Sequence, residues 1–168
     1  ILGRHRLHAT VFACSVICDE QQEYWWDTLD RALLRHAGSA NLELPLGTTS
    51  MRLLVDGDPL AHPRWSVLSA ETPTSRHAAY RRLAGELKGL APDARAATLA
   101  ALLQQLGLDT APAADARPLE RAELRALARG DTIEVGAHGR THPQLSSLPP
   151  DAQREQVAGS RADLETWL

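Results

Sequence analysis

"HATVFACSVI", His8–Ile17, decides the class of fold. Its residues are small, apolar or β-branched, with almost no polar alternation. Such a run suits a strand covered on both faces, as in a parallel α/β sheet. On that reading Cys14 and Cys18 lie roughly 13 Å apart along the strand, too far for a disulfide, and count as buried thiols. A second short strand is expected at "TIEV", 132–135, with Gly136 ending it. Between the two runs the period changes to that of helices. In 19–38 Trp26, Leu29, Leu33 and Leu34 share one helical stripe, and Gly38 offers a stop.

Further along, Leu42, Leu44 and Leu46, then Met51, Leu53 and Val55, alternate with period two, which predicts a hairpin with "DGDP" as a turn. Two amphipathic helices follow, one carrying Tyr80, Leu83, Leu87 and Leu90, the other Leu99, Leu102, Leu103 and Leu106 up to Gly107. "DTAPAADARP", 109–118, reads as a linker and "ERAELRALARG", 120–130, as a short helix. A last helix is expected from about Pro150, with Val157, Leu164 and Leu168 as its apolar stripe. Strand, helix, small inserted sheet, helices, strand and helix make an α/β order.

The bulk composition narrows the partners. With 168 residues, 43% hydrophobic and 23% charged, the chain has the make-up of a globular domain able to bury a core. A net charge of −3 gives no electrostatic footprint for nucleic acid, and no apolar run approaches a membrane span. The chain opens on Ile1 rather than methionine and closes inside a helical pattern, so a piece of a longer polypeptide is expected.

After "TIEV" comes "GAHGRTHPQL", Gly136–Leu145, with two of the seven histidines four positions apart. Spacing alone is weak evidence, and two surface imidazoles are the plain alternative. Its place favours chemistry, because α/β folds build sites at the carboxyl ends of strands. Gly136 and Gly139 permit a tight turn, and Pro143 biases His142 away from helical dihedrals. This is therefore not the helical H-E-x-x-H of zinc peptidases. A loop with two converging imidazoles can supply two of the three protein ligands that a catalytic zinc requires.

The stretch "IEVGAHGRTHPQLSSLPPDAQREQVAGSRADLETWL", 133–168, resembles the second motif of the NodB-like polysaccharide deacetylases (carbohydrate esterase family four), H-[ST]-x-x-H-P, and its following helix. "ILGRHRLHATVFACSVI", 1–17, is similar to the family's second barrel strand and the helix end before it, and "EYWWDTLDRALL", 23–34, to an insertion in a bacterial branch. The likeness is loose from about 41 to 114. It implies a portion of a distorted (β/α) barrel spanning 1–168, with an insertion at about 19–114 that holds the small hairpin and helices. It further implies a divalent metal, commonly zinc, held by His138 and His142, and a hydrolase that removes acetyl groups from N- or O-acetylated sugars of a polysaccharide or oligosaccharide. The family's metal polarises the acetyl carbonyl and acidifies water, one aspartate is a ligand, a second is the base, and a later histidine is the acid. The T-F-D-D-G motif bearing both aspartates has no counterpart here, and no Asp-Asp pair occurs. Base and acid are expected outside this chain, which alone is expected to be inactive. Gly139 stands where the family has serine or threonine, so the loop lacks that bracing hydroxyl.

Other residues weigh less. Asp19, Glu20 and Glu23 are read as the acidic start of a helix before any substrate contact. Trp26 is assigned to core packing and Trp25 is left open as a sugar-stacking face. Glu134 is expected to be solvated or ion-paired, and the His5/His8 pair to lie on the surface. Gln153 and Ser160 are expected to make polar contacts from the last helix. The alternative from another class is a non-catalytic metal- or partner-binding module.

Overall fold

The structure, a computed structural model, describes residues 2–168; Ile1, the first residue of the strand-two resemblance, lies outside them. In chain order the elements are α1 (Leu2–His5), β1 (Ala9–Ala13), α2 (Ser15–Glu20) and α3 (Trp25–Asp30), which runs on into a π turn, Arg31–Arg35. Then come β2 (Ala40–Leu46), β3 (Thr49–Val55), α4 (Ser75–Gly89), α5 (Pro92–Leu106), α6 (Arg121–Ala128) and β4 (Ile133–Ala137). The chain ends with α7 (Pro150–Arg154), a second π turn at Glu155–Gly159, and α8 (Ser160–Trp167). The class is mixed α/β, with two small sheets and no closed barrel among the described residues. It divides into two compact units, residues 1–23 with 112–168, and residues 24–111.

In the first unit β1 and β4 pair in parallel, Ala9 opposite Ile133 through Ala13 opposite Ala137. Parallel pairing brings the carboxyl ends of both strands to one edge, so the segments that follow them meet. One face packs under α6 and α8, where Ala13, Cys18, Leu124, Leu164 and Trp167 form a small core with Val135 against it. The other face is open: Phe12 is 59% exposed, and Thr10 and Glu134 are exposed beside it. The expectation of a strand covered on both faces is therefore not met within the described residues.

The long apolar run splits after Ala13. Residues 15–20 leave the strand as α2, which places Cys14 and Cys18 one helical turn apart rather than along a strand. Both side chains are buried, and neither forms a disulfide. Strand "TIEV" runs on through Gly136 and Ala137, so Gly136 does not end it. A Cβ on Gly136 would lie 2.7 Å from the Phe12 ring, so the glycine is the floor on which that ring rests.

The last helix begins at Pro150, its first-turn position, and Leu164 is buried as expected. Val157 and Leu168, however, are 56% and 50% exposed, and Trp167 takes the buried place. The π turn at 155–159 accounts for Val157, since its extra residue per turn breaks the 3.6-residue stripe between Val157 and Leu164. Leu168 follows the last helical residue, Trp167.

The second unit is the hairpin β2–β3, antiparallel with Leu46 opposite Thr49. Gly47, at φ +64, opens its two-residue loop. Leu42, Leu44, Met51, Leu53 and Val55 turn their buried face onto α3, α4 and α5, joining Leu29, Leu33, Leu83, Leu87, Leu102 and Leu103. α5 ends as its pattern suggests, with Gly107 in a left-handed cap at φ +65.

Arg76 is fully buried here, with Asp56 and Asp58 acting on its charge. It donates to the carbonyls of Leu33 and His36 at 2.8 Å, of Gly57 at 3.0 Å, and of Gly38. Two of these belong to the end of the α3 π turn, where carbonyls lack intrahelical donors and the helix dipole is negative. One side chain thus closes the helix, the following turn and the end of β3.

Candidate metal-binding loop

The loop His138–His142 leaves β4 at the edge shared with the end of β1, and six of its ten backbone N–H and C=O groups are bonded to α2, β1 or the last helix. His138 N–H donates to Ala13 O at 2.9 Å, and its carbonyl accepts from the Cys14 thiol at 3.2 Å. The Gly139 and Arg140 carbonyls accept from the Ser15 and Val16 amides at 3.2 and 3.0 Å. Those amides open α2 and have no partner inside the helix, so loop and helix end satisfy each other. Conversely, Arg140 and Thr141 N–H both donate to Gln156 Oε1, at 2.9 and 3.0 Å.

This lacing fixes an unusual backbone. Gly139 sits at φ +78 and His142 at φ +54, a left-handed position that side chains seldom adopt. The pair of turns folds the two imidazoles onto one point: His138 Nε2 and His142 Nε2 are 3.1 Å apart, with ring centroids at 4.8 Å. His138 is exposed and His142 half-buried. Phe12 flanks His138, with ring centroids 6.2 Å apart.

Two nitrogens 2.0–2.1 Å from one tetrahedral zinc stand roughly 3.3 Å apart, so the observed separation fits two ligands of a common ion. Without an ion, one Nε2–H can donate to the other Nε2, and the pair is satisfied that way. No group of three His, Cys, Asp or Glu side chains suited to a metal occurs among the described residues. The pair therefore supplies two donors and no third.

Behind the loop, Arg140 is pinned by acids. Its Nη1 lies 2.5 Å from Glu155 Oε1, and its Nε 3.2 Å from Asp163 Oδ2. Asp163 also accepts from the buried Ser15 hydroxyl at 2.5 Å, which ties α8 to α2 under the loop. Gly159 belongs to this arrangement, since a Cβ there would lie 2.9 Å from Arg140 Cδ.

The remaining sequence candidates fall elsewhere. Asp19 and Glu20 close α2 rather than opening a helix, because the helix starts at Ser15; Asp19 pairs with Arg121, and Glu20 accepts from Gln22. The core tryptophan is Trp25, not Trp26 as expected. Trp25 packs on the second unit's core with Arg95 over its ring at 5.9 Å, while Trp26 stacks on Tyr24 at 4.6 Å. Buried Thr28 and Ala32 centre the α3 face on Trp25, a shift invisible when only large apolar residues are counted.

Glu134, His5 and His8 are exposed. Gln153 donates to Leu148 O at 2.8 Å, whereas Ser160 is fully buried and its hydroxyl finds no hydrogen-bond partner among the described residues, so the polar contact expected of it is not made. Sequence reasoning overlooked Gln156, Asp163 and the thiol and amides of 14–16. A glycine inside a helical run, Gly159, is the available signal of close packing by a neighbouring loop.

Burial also sets two titrations away from the loop. Cys18 is pushed up to about 11 by its apolar surroundings, then by Cys14, and so remains a thiol. In the second unit His77 is 2% exposed and bonded to Thr74 Oγ1 through Nδ1 at 2.8 Å. Burial, then His62 and Arg76, holds its pKa below the usual imidazole value.

No family model, no curated protein and no solved structure matches this chain.

Proposed function

We propose that this chain is a portion of a metal-dependent polysaccharide deacetylase, with His138 and His142 as two protein ligands of a divalent ion, zinc first, and a sugar acetyl group as the substrate. The observation that carries the reading is the 3.1 Å approach of the two Nε2 atoms at the shared carboxyl edge of two parallel strands. The H-x-x-x-H-P resemblance supports it, and so does a parallel pair open on one face, the kind of sheet that barrels extend. When bound there, the ion would supply a Lewis acid for the acetyl carbonyl and a more acidic water. The chain's own residues do the holding. Two imidazoles are aimed by a laced loop, and Phe12 flanks His138. Neither the base nor the acid of hydrolysis is assigned to a residue of this chain.

The test is release of free amine from N-acetylglucosamine oligomers by the full-length protein that carries this chain. Activity is expected to fall at least a hundredfold in both His138→Ala and His142→Ala. Unchanged turnover in both variants rules the assignment out.

The second reading is a non-catalytic metal- or partner-binding module. It is favoured by the lack of a third donor among the described residues, since a carboxylate adds both a bond and compensating charge. Zinc titration of the chain separates the two. Weak binding accords with a portion awaiting its third ligand; tight, one-to-one binding favours a self-sufficient module.

A further inference from the structure

We infer that Gln156 is the positioning residue of the histidine pair, its carboxamide oxygen doing from the last helix what a hydroxyl at position 139 would do from within the loop. The inference rests on reading His138 and His142 as metal ligands. A single oxygen, Gln156 Oε1, accepts from Arg140 N–H at 2.9 Å and Thr141 N–H at 3.0 Å, with Thr141 Oγ1 at 3.5 Å. These are the two amides between Gly139 and His142, the residues whose positive φ values bend the loop.

The other side of the same loop is held through its carbonyls by Cys14, Ser15 and Val16. Ser15 and Val16 hold the carbonyl edges of the 139–140 and 140–141 peptide planes, and Gln156 holds the N–H edges of the same two planes. Pinned on both edges, the two peptides between the positive-φ residues cannot swivel, and Gln156 thereby sets the distance between the two Nε2 atoms. The helix is built to deliver it. Gln156 lies inside the π turn Glu155–Gly159, where the register slips, and Gly159 leaves room for Arg140 to pass. Such single-turn π irregularities concentrate at functional sites. Gly139 completes the fit: a Cβ there would lie 3.5 Å from Gln156 Oε1, on a backbone at φ +78 that a side chain resists.

Partners behind metal ligands typically change affinity by about 10- to 100-fold when removed. The experiment compares Gln156→Ala, Gln156→Asn and Gln156→Glu in the full chain. It uses calorimetric titration with zinc alone, hydrogen exchange at the Arg140 and Thr141 amides, and ¹⁵N shifts of the two imidazoles. Alanine removes the acceptor and asparagine withdraws it by one methylene, whereas glutamate keeps an oxygen at the same reach. Ala and Asn are expected to bind zinc about 10- to 100-fold more weakly and to exchange both amides faster, with β1 and β4 amides unchanged. Glu is expected to restore both properties.

Zinc affinity and amide protection that survive in Ala and Asn overturn the inference. So does a loss in Glu equal to that in Ala, which would mark general packing instead. Should the unsubstituted chain take up no zinc, the metal reading fails by itself. Gln156 as the brace is then still decided, by amide exchange and by whether the imidazole signals of the metal-free pair change in Ala but not in Glu.

Discussion

The unit of residues 24–111 and the unit that carries the histidine loop are held together by different physics. In the first, apolar side chains of a hairpin and three helices close over one another, and Leu29, Leu33, Leu44, Leu83, Leu87, Leu102 and Val55 reach zero exposure. In the loop-bearing unit the clustered core is smaller, Ala13, Cys18, Leu124, Leu164 and Trp167, with Cys14 and Ile17 also buried. The remainder is polar lacing: loop carbonyls to helix amides, Gln156 to loop amides, and Arg140 between Glu155 and Asp163. Hydrophobic burial is non-directional and tolerates small shifts, while hydrogen bonds and ion pairs set positions. The difference teaches a division of labour. Stability concentrates where the apolar period is regular, and placement of donor atoms concentrates where it is broken.

The most severe way to break this contrast is to attack the one polar device inside the apolar unit. Arg76→Ala strips donors from four carbonyls and leaves a void; a loss of about 3–5 kcal/mol is expected from urea denaturation. A loss below about 1 kcal/mol would show that water or neighbouring groups serve those carbonyls equally well.

The next test compares like with like across the units. Leu83→Ala is expected to cost about 3–4 kcal/mol and Leu164→Ala about 2 kcal/mol, both within the range for buried leucines. The smaller value reflects a sparser surrounding that can collapse. Equal costs, or a larger one at Leu164, would contradict the claim that burial dominates in 24–111.

Acid should separate the units in order. His77 has a folded pKa below its unfolded value near 6.5, so its neutral form is favoured by folding. The unfolded chain binds the proton first, so this contribution is complete above about pH 6.5 and declines as pH falls through the lower folded value. The unit of 24–111 is expected to weaken between neutral pH and mild acid, and His77→Gln is expected to flatten that slope. In the other unit Glu123 is held down to about 2, first by Arg117 and then by the Glu120 amide in a capping box at the start of α6. Its contribution persists until pH drops below the usual carboxylate value of about 4.5 and disappears towards 2. Far-ultraviolet and near-ultraviolet circular dichroism across pH 7 to 2 reads the order.

The smallest effect should come from the exposed ion pair Arg161–Glu165 on α8, 2.7 Å apart. Glu165→Gln is expected to change stability by less than about 0.5 kcal/mol and to leave zinc binding unaltered, because solvent and salt screen such pairs. A larger effect would mean that α8 is held by its surface charges rather than by Leu164 and Trp167.

How much was legible in the residues differs between the units for the same reason. Period-two and 3.6-residue patterns report which side chains face a core, and in 24–111 the core decides nearly everything. The hairpin, α4, α5 and the cap at Gly107 follow from Leu and Gly placement alone. Around the loop, the pattern misleads wherever a hydrogen bond overrides it. Ser15 starts a helix because loop carbonyls receive its amides, although β-branched neighbours argue for a strand. Val157 is exposed because a π turn rotates it outward to bring Gln156 to the loop.

The sequence by itself determined an α/β order, the hairpin and helices of the 24–111 unit, and a strand-end loop with two histidines at ligand spacing. Local propensity and periodicity act within a few residues, and these features need no more. Tertiary structure alone decided that the two strands are parallel neighbours and that the imidazoles converge to 3.1 Å. It alone made Gln156, fourteen positions beyond His142, the group that holds the bend. The bonds that hold the loop, from Thr141 and Arg140 to Gln156 and from Cys14 to His138, span 15 to 124 positions in the chain, where no local period connects the residues and only the satisfaction of buried backbone groups selects the pairing.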